Sequence, residues 1–297
     1  MSSSEQIPLE GILPLDKPPG PTSHDIVAAA RRALRIRRIG HTGTLDPFAS
    51  GLLLLCLGNA TRLAEYLTAL PKSYTATLRL GAATDTDDSQ GTVIATSGAW
   101  SDLSPAQVTA ALAAQVGTIS QTPPRYSAKK VDGERMYAVA RRGGDVSPRP
   151  VEVQILRIEI QRVALPDVEF EIDCSSGTYI RSVARDVGEA LGVGGHLTRL
   201  RRTRIGQYSI DAALSLAQLE DAESVRGALV PPAQALSHLP SVIVDAAEEQ
   251  VIRRGGSIVT ASGDPDTDRL AIISASGGLV GIGERRGDRV QPRKVLA

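Results

Sequence analysis

Cysteine is scarce in this chain: Cys56 and Cys174 are the only two among 297 residues. Two cysteines build neither a disulfide framework nor a four-cysteine zinc site. Cys56 sits inside the apolar run Leu52–Leu57, which reads as a buried reduced thiol. Aromatic residues make up only 3%. The core must therefore be aliphatic, and an aromatic inside a polar stretch becomes informative. No apolar run approaches the ~18 residues of a membrane span. The first ten residues lack the basic start and apolar stretch of a signal peptide. A soluble, reducing, cytoplasmic protein with no membrane contact is expected.

Motif absences narrow the chemistry. There is no Gly-x-x-x-x-Gly-Lys-Ser/Thr phosphate loop, and Gly192-Val193-Gly194-Gly195 lacks the third glycine of a dinucleotide fingerprint. No Gly-x-Ser-x-Gly elbow occurs. The four histidines (His24, His41, His196, His238) are scattered, without metal-ligand spacing. Nucleotide hydrolysis, nicotinamide chemistry, serine hydrolysis and metal catalysis lose ground. A reaction needing no cofactor gains it. With 33 basic and 33 acidic residues the chain is not a globally basic nucleic-acid binder, though local clusters of charge remain open.

What is present points to a large domain over 1–240 and a small β-rich unit over 241–297, with Pro231-Pro232 and Pro240 near the boundary. Thr22 and Ser23 sit where a helix cap belongs, ahead of helical spacing in Ile26–Leu34. A second helix is expected over Thr61–Ala69. Tyr74–Leu80 alternates as a strand, with Thr92–Thr96 its expected partner. Ser104-Pro105 opens a helix that should stop at Gly117. Val151–Val163 and Val168–Cys174 read as long strands, Gly177–Leu191 as a helix, and Gly206–Ile210 as a strand. Beyond the boundary, Val242–Val244, Ser257–Ala261, Arg269–Ser274 and Leu279–Glu284 read as short strands. Helices and strands mix without βαβ alternation, so the class is α+β.

Four polar islands interrupt this aliphatic background. The first is Gly40-His41-Thr42-Gly43-Thr44-Leu45-Asp46-Pro47. By composition alone Asp46 reads as a turn residue and His41 as a structural histidine. The second is Lys72-Ser73-Tyr74, the third Ser175-Ser176-Gly177-Thr178-Tyr179-Ile180-Arg181. An edge-strand aromatic and a capped helix start are their plain readings. The fourth is Pro123–Arg142, where Arg125, Lys129, Lys130, Arg135, Arg141 and Arg142 interleave with Tyr126 and Tyr137. That mixture suits a nucleic-acid groove, and also a solvated hairpin turning at Val131-Asp132-Gly133-Glu134.

Together, and in this order, the islands resemble the bacterial tRNA pseudouridine-55 synthase (TruB) family. Leu15-Asp16-Lys17-Pro18-Pro19-Gly20-Pro21-Thr22-Ser23 is similar to its first motif, and Gly40–Pro47 to its catalytic motif. Pro123–Lys130 with Gly133, Tyr137 and Ala140-Arg141 resembles its RNA-gripping insertion, about 120–150. Cys174–Arg181 and Leu197–Arg202 resemble two further segments around the pocket. The resemblance implies a pseudouridine synthase fold: a mixed, largely antiparallel central sheet flanked by helices, with a small PUA-like C-terminal domain.

It also implies an activity, isomerisation of uridine to pseudouridine at position 55 in the T loop of tRNA, without cofactor or metal. Asp46 corresponds to the family's essential aspartate, Arg181 to the arginine that pairs with it, and Tyr74 to the tyrosine that stacks on uracil. His41 corresponds to the residue filling the space of the flipped base, Tyr179 to a binding tyrosine, and Leu200 to an apolar contact. Lys17, Lys129, Lys130 and Arg141 are expected to bind substrate. Basic runs Arg31–Arg38, Lys129–Arg142 and Arg199–Arg204 would line the phosphate path, and acids such as Asp85, Asp87 and Asp88 would occupy the opposite faces. The expected partner is the T arm of tRNA, bound by a monomer. Two other readings stay open: a tRNA-folding chaperone without chemistry, and a synthase acting on another RNA. Tritium release from C5-labelled uridine separates the first from an enzyme. No second carboxylate stands in a comparable motif, which argues against a glycoside hydrolase.

Overall fold

The computed structural model describes residues 9–126, 130–131, 134–135, 149–260 and 267–296, with side chains left out at 130–131 and 134–135. The expected turn at Asp132-Gly133, and Lys129, Tyr137, Arg141 and Arg142, lie outside the described residues, as does the side chain of Lys130.

The chain opens with β1 (Gly11–Lys17), α1 (Ser23–Leu34), β2 (Ile39–His41) and β3 (Ser50–Leu57). Thr22 caps α1 in a capping box with Asp25, so the helix starts where the cap signal put it. After a 3₁₀ turn over Gly58–Leu63 come α2 (Ala64–Thr68), β4 (Lys72–Leu80), β5 (Ala82–Thr84) and β6 (Val93–Thr96). Next are α3 (Pro105–Ala113), β7 (Gly117–Gln121), and the short pair β8 (Lys130–Val131) and β9 (Glu134–Arg135). The long hairpin β10 (Val151–Ala164) and β11 (Asp167–Cys174) leads to α4 (Ile180–Ala190), β12 (Gly195–Ile205) and β13 (Tyr208–Ser209).

These strands form one mixed sheet in the order β1-β3-β12-β4-β11-β10-β7, with β2 on β3 and β13 on β12. Every pair is antiparallel except β12 with β3, which meet in parallel only at Arg201↔Ser50 and Arg202↔Gly51. The leucine run of β3 explains its central place. Leu52, Leu54 and Cys56 enter one apolar cluster, and Leu53, Leu55 and Leu57 enter another on the opposite face. A strand buried on both faces needs such a run, and each buried leucine contributes about 1.5–3 kcal/mol. A third cluster under β4, β11 and β12 is closed by α3 and α4, through Val108, Leu112, Val183 and Val187.

Several expectations are corrected. The 92–96 strand pairs with β5, not with β4, because β4 is already flanked by β11 and β12. The helix begun at Pro105 ends at Ala113, and Gly117 (φ 112°) instead opens β7. Helix α4 starts at Ile180 rather than Gly177. Strand character after Gly206 covers only Tyr208–Ser209 before a 3₁₀ turn.

Past α5 (Ala222–Ala228) and α6 (Pro232–Ala235), a second sheet begins with β14 (Ser241–Val244). It holds β14, β16 (Leu270–Ser274), β17 (Leu279–Arg286), β18 (Arg289–Val295) and β15 (Ile258–Val259) in that order. Helix α7 (Ala246–Arg253), capped by Asp245 with Glu248, packs Ile252 against this sheet. Sequence reading overlooked α7 and β18. Ile282 and Leu296 reach across to Leu63 and Leu67, and Lys294 donates to the Arg62 carbonyl, so the two sheets share a core. Among the described residues no helix is long and apolar enough to cross a membrane.

The β3–β12 junction carries a sharp prediction. Gly51 has φ 106°, and a Cβ there would lie 2.2 Å from the Arg202 carbonyl oxygen. Gly51→Ala is expected to cost on the order of 3 kcal/mol, from backbone strain and backbone collision together. A urea midpoint that matches the wild type would contradict this.

Candidate active site

The loop between β2 and β3 is held from four sides. Ser23, the first residue of α1, accepts the Leu45 N–H at 2.9 Å and donates to the Leu45 carbonyl at 3.2 Å. Arg202 on β12 donates to the carbonyls of Gly43 and Leu52. The Gly20 N–H meets the Pro47 carbonyl at 2.7 Å. Lys17 at the end of β1 is fully buried, and its ammonium donates to the carbonyls of Pro18, Pro47 and Ala49. Lys17 was expected to bind substrate. Its burial and its three acceptors make it a clamp on the loop instead.

The clamped loop presents Asp46 to Arg181 on the first turn of α4. The guanidinium grips the carboxylate with two bonds, Nε to Oδ2 at 2.9 Å and Nη2 to Oδ1 at 3.1 Å. Its other donors reach the carbonyls of Thr86 (2.7 Å) and Tyr126 (2.9 Å). Asp88 Oδ2 lies 3.6 Å from Nη1. A planar fork with five donors suits this environment, and a lysine does not. Arg181 is 3% exposed, whereas Asp46 keeps 33% of its side chain open. The acid thus faces a cavity while its partner stays dry. Helix α4 lacks a side-chain cap of its own. Gln121 of β7 replaces it, accepting the Tyr179 N–H at 2.8 Å and donating to the Tyr179 carbonyl at 3.1 Å.

The cavity beside Asp46 has a volume of about 510 Å³ and is lined by Tyr74, Tyr179, Arg181, Leu200, Lys72 and Arg202, among others. Asp46, Tyr74, Tyr179, Arg181 and Leu200, which come from four separate stretches of sequence, therefore meet at one pocket. Tyr74 is buried, which pushes its phenol up from the usual range and keeps it protonated; Arg202 alongside works in the opposite direction. A somewhat larger groove between Phe48, Thr75 and Arg199 does not include Asp46 or Arg181.

Asp87 and Asp88 were expected on the faces away from the site. The structure turns them inward. Asp88 accepts from Thr86 and approaches Arg181, while Asp87 pairs with Arg185 at 3.0 Å. Burial raises the pKa of both, that of Asp87 to about 6. Nothing in an Asp-rich turn marks it locally as the backing of an arginine that lies far along the chain, at position 181. The Arg199–Arg204 run is also reassigned in part: Arg201 grips Asp16 with two bonds, and Arg202 lines the pocket beside Asp46.

His41 is half-buried on β2, its ring 5.5 Å from that of His24 and edge-on to it. The two histidines are distant in sequence but neighbours in space. His41 Nδ1 accepts the Gly43 N–H at 3.3 Å, which leaves the proton of the neutral ring on Nε2. Burial, then His24 and Arg202, lower its pKa to about 4 from 6.5. The unfolded chain therefore takes up this proton between pH 6.5 and 4 before the folded chain does. That part of the stability is complete above pH 6.5 and is lost as pH falls toward 4. His41→Gln should show a smaller drop in urea midpoint between pH 7 and pH 5 than the wild type; equal drops would refute the assignment.

Comparison with known proteins decides the family. Residues 31–180 match the model of the TruB family pseudouridylate synthase N-terminal domain, and residues 181–237 that of the tRNA pseudouridylate synthase B C-terminal domain. The chain belongs to the TruB family. Curated relatives include a tRNA pseudouridine synthase B of Gloeobacter violaceus, 49% identical over 79% of this chain and 81% of that protein. Another, from Aromatoleum aromaticum, is 41% identical over 97% and 93%. Among solved structures, an H/ACA RNP bound to a substrate RNA containing 2′-deoxyuridine aligns with TM-score 0.76 and 27% identity, over 97% of this chain and 86% of that one. The expected pseudouridine synthase fold, with its mixed sheet and β-rich C-terminal part, is the fold observed. The acid beside the pocket is Asp46, paired with Arg181.

Proposed function

We propose that this TruB protein isomerises uridine to pseudouridine in the T loop of tRNA, at position 55. The relatives' activity on tRNA supports the reaction. The single observation that carries its assignment to this site is Asp46: a carboxylate held by two bonds from a buried arginine and open toward a pocket of nucleoside size.

The residues support each step. A uridine stacked in RNA cannot reach Asp46, so it must be flipped, at a cost of about a few kcal/mol. Tyr74 and Leu200 receive the base, and His41 fills the space that the base vacates in the RNA. The C1′–N1 bond breaks with the electron pair on the uracil, and the Asp46 carboxylate meets the electron-poor sugar. The uracil turns, C5 bonds to C1′, the C5 proton leaves and N1 takes one up. No net atom or electron is exchanged. Arg181 keeps the carboxylate aimed throughout with its two-bond grip.

The second sheet, from Ser241 onward, is proposed as a small PUA-like domain packed on a 1–240 catalytic domain, reaching further along the tRNA. A cytoplasmic monomer is the matching state. The decisive experiment is pseudouridine mapping at nucleotide resolution in tRNA incubated with purified protein. One new pseudouridine in the T loop is expected; modification elsewhere only, or tRNA binding without product, would replace this reading with a different substrate or a chaperone.

A further inference from the structure

The pocket is unbalanced in charge. Arg181 has Asp46 and Asp88 for company. Lys72 and Arg202, which line the same pocket, have no carboxylate partner among the described residues, though they are only 7% and 2% exposed. Buried charges are ordinarily paired, because removing an ion from water without a counter-charge is costly. Lys17 meets that cost with carbonyls alone inside the loop, but Lys72 and Arg202 line an open pocket, where a ligand can supply the missing charge.

Lys72 and Tyr74 lie two residues apart on β4, so both side chains project from one face, about 7 Å from each other along the strand. Arg202 is the direct β12 partner of Tyr74 and shares that face. Two of the three N–H groups of the Lys72 ammonium close on the carbonyls of Thr68 and Leu70, each at 2.5 Å. Those bonds fix the ammonium at the end of α2 and leave its third donor. Arg202 holds the Leu52 and Gly43 carbonyls through Nε and Nη2 and also hydrogen-bonds the Tyr74 side chain, so its charge rather than a spare donor faces the pocket.

We propose that Lys72, with Arg202 beside it, seats a phosphodiester group flanking the target nucleotide, so that the RNA itself brings the counter-ion these buried cations lack. The inference rests on the functional reading above and deepens it. A flipped nucleotide carries its backbone with it, and a base on Tyr74 has its phosphates one side chain away. Such a contact is made equally before and during the reaction, so it belongs to binding rather than to turnover.

The test uses the full-length protein and T-arm stem-loop RNAs in which one phosphate, on the 5′ or the 3′ side of the target uridine, is replaced by a neutral methylphosphonate. One replacement should weaken wild-type binding about tenfold or more, as expected for a charge-assisted contact. Lys72→Gln should bind native RNA more weakly by a similar factor, be indifferent to that replacement, and turn over normally at saturating RNA. Lys72→Arg should recover much of the affinity. A wild type indifferent to both replacements overturns the proposal. So do losses that multiply when variant and modified RNA are combined.

If Lys72→Gln does not fold, the wild type alone answers. Burial and Arg202 lower the lysine to about 8, against a smaller opposing influence of Cys174; the pocket's other charges are Asp46, Arg181 and Glu152. Affinity for native RNA should then fall as pH rises through 8, and affinity for the sensitive methylphosphonate RNA should not; parallel curves overturn the proposal. Wild-type protein that binds these RNAs with the predicted phosphate dependence but forms no pseudouridine would instead overturn the functional reading.

Discussion

Asp46→Asn is expected to form no pseudouridine above background, at least about 10⁴-fold slower than wild type, while still binding tRNA. The substitution keeps the shape of the side chain and removes its charge. An amide cannot attack an electron-poor sugar carbon, nor balance the positive charge that develops there. Its NH₂ group would also face a donor of Arg181, where the carboxylate offers two acceptors at 2.9 and 3.1 Å. The fold should survive, because Asp46 is one-third open and Arg181 retains Asp88 and the carbonyls of Thr86 and Tyr126. A stability loss of about 1–2 kcal/mol is the expected size for one charged hydrogen-bonded contact near the surface. Single-turnover assays at saturating RNA, beside a binding isotherm, separate the two effects. Turnover within about tenfold of wild type would remove Asp46 from the nucleophile's role.

How much of this was legible beforehand depends on the range of the interaction. Strand β3 could be read from its leucine run, and α1 from Thr22, because pattern and cap are local. The pairing of β6 could not, since Val93–Thr96 is exposed along its whole length and lacks a buried face to declare its partner. Helix α7 did carry a signal, Asp245 followed three residues on by Glu248, and β18 hid its alternation behind Pro292 in a strongly charged stretch. At the site, Asp46, Tyr74, Tyr179, Arg181 and Leu200 could be chosen only through the resemblance of their motifs, taken in order, to those of the TruB family, and the fold gathers them. Lys17 was misjudged because sequence shows a charge but not its burial. Asp88 was misjudged because its contact with Arg181 joins residues far apart in sequence, and an acidic turn looks the same whether it faces water or a guanidinium.

That acidic backing shapes the second large effect. Arg181→Met should abolish pseudouridine formation and also destabilise the fold, by about 3–5 kcal/mol, since it strands a carboxylate in a dry place. Asp88 is only 8% exposed at its side chain and would lose its cation; the carbonyls of Thr86 and Tyr126 would each lose a donor. The stranded charge predicts a signature in pH. Burial already raises the Asp88 pKa above its usual 3.8, and without Arg181 it must rise further. A carboxyl whose folded pKa exceeds the unfolded one favours the fold below the unfolded value and loses that contribution as pH climbs through the folded value. The deficit of Arg181→Met should therefore shrink on acidification. Adding Asp88→Asn should recover about 1–2 kcal/mol of stability and none of the activity, because the amide relieves the buried charge while Asp46 remains unaimed. Arg181→Lys tests the geometry apart from the charge: an ammonium cannot span both Asp46 oxygens and two carbonyls, so it should fold better than Arg181→Met and still lose about 10²-fold or more in rate. Urea midpoints at pH 5 and pH 8 beside single-turnover rates give all four quantities. An Arg181→Met protein as stable as wild type, or a double variant no more stable than the single, would show that Asp88 is not held in place by Arg181.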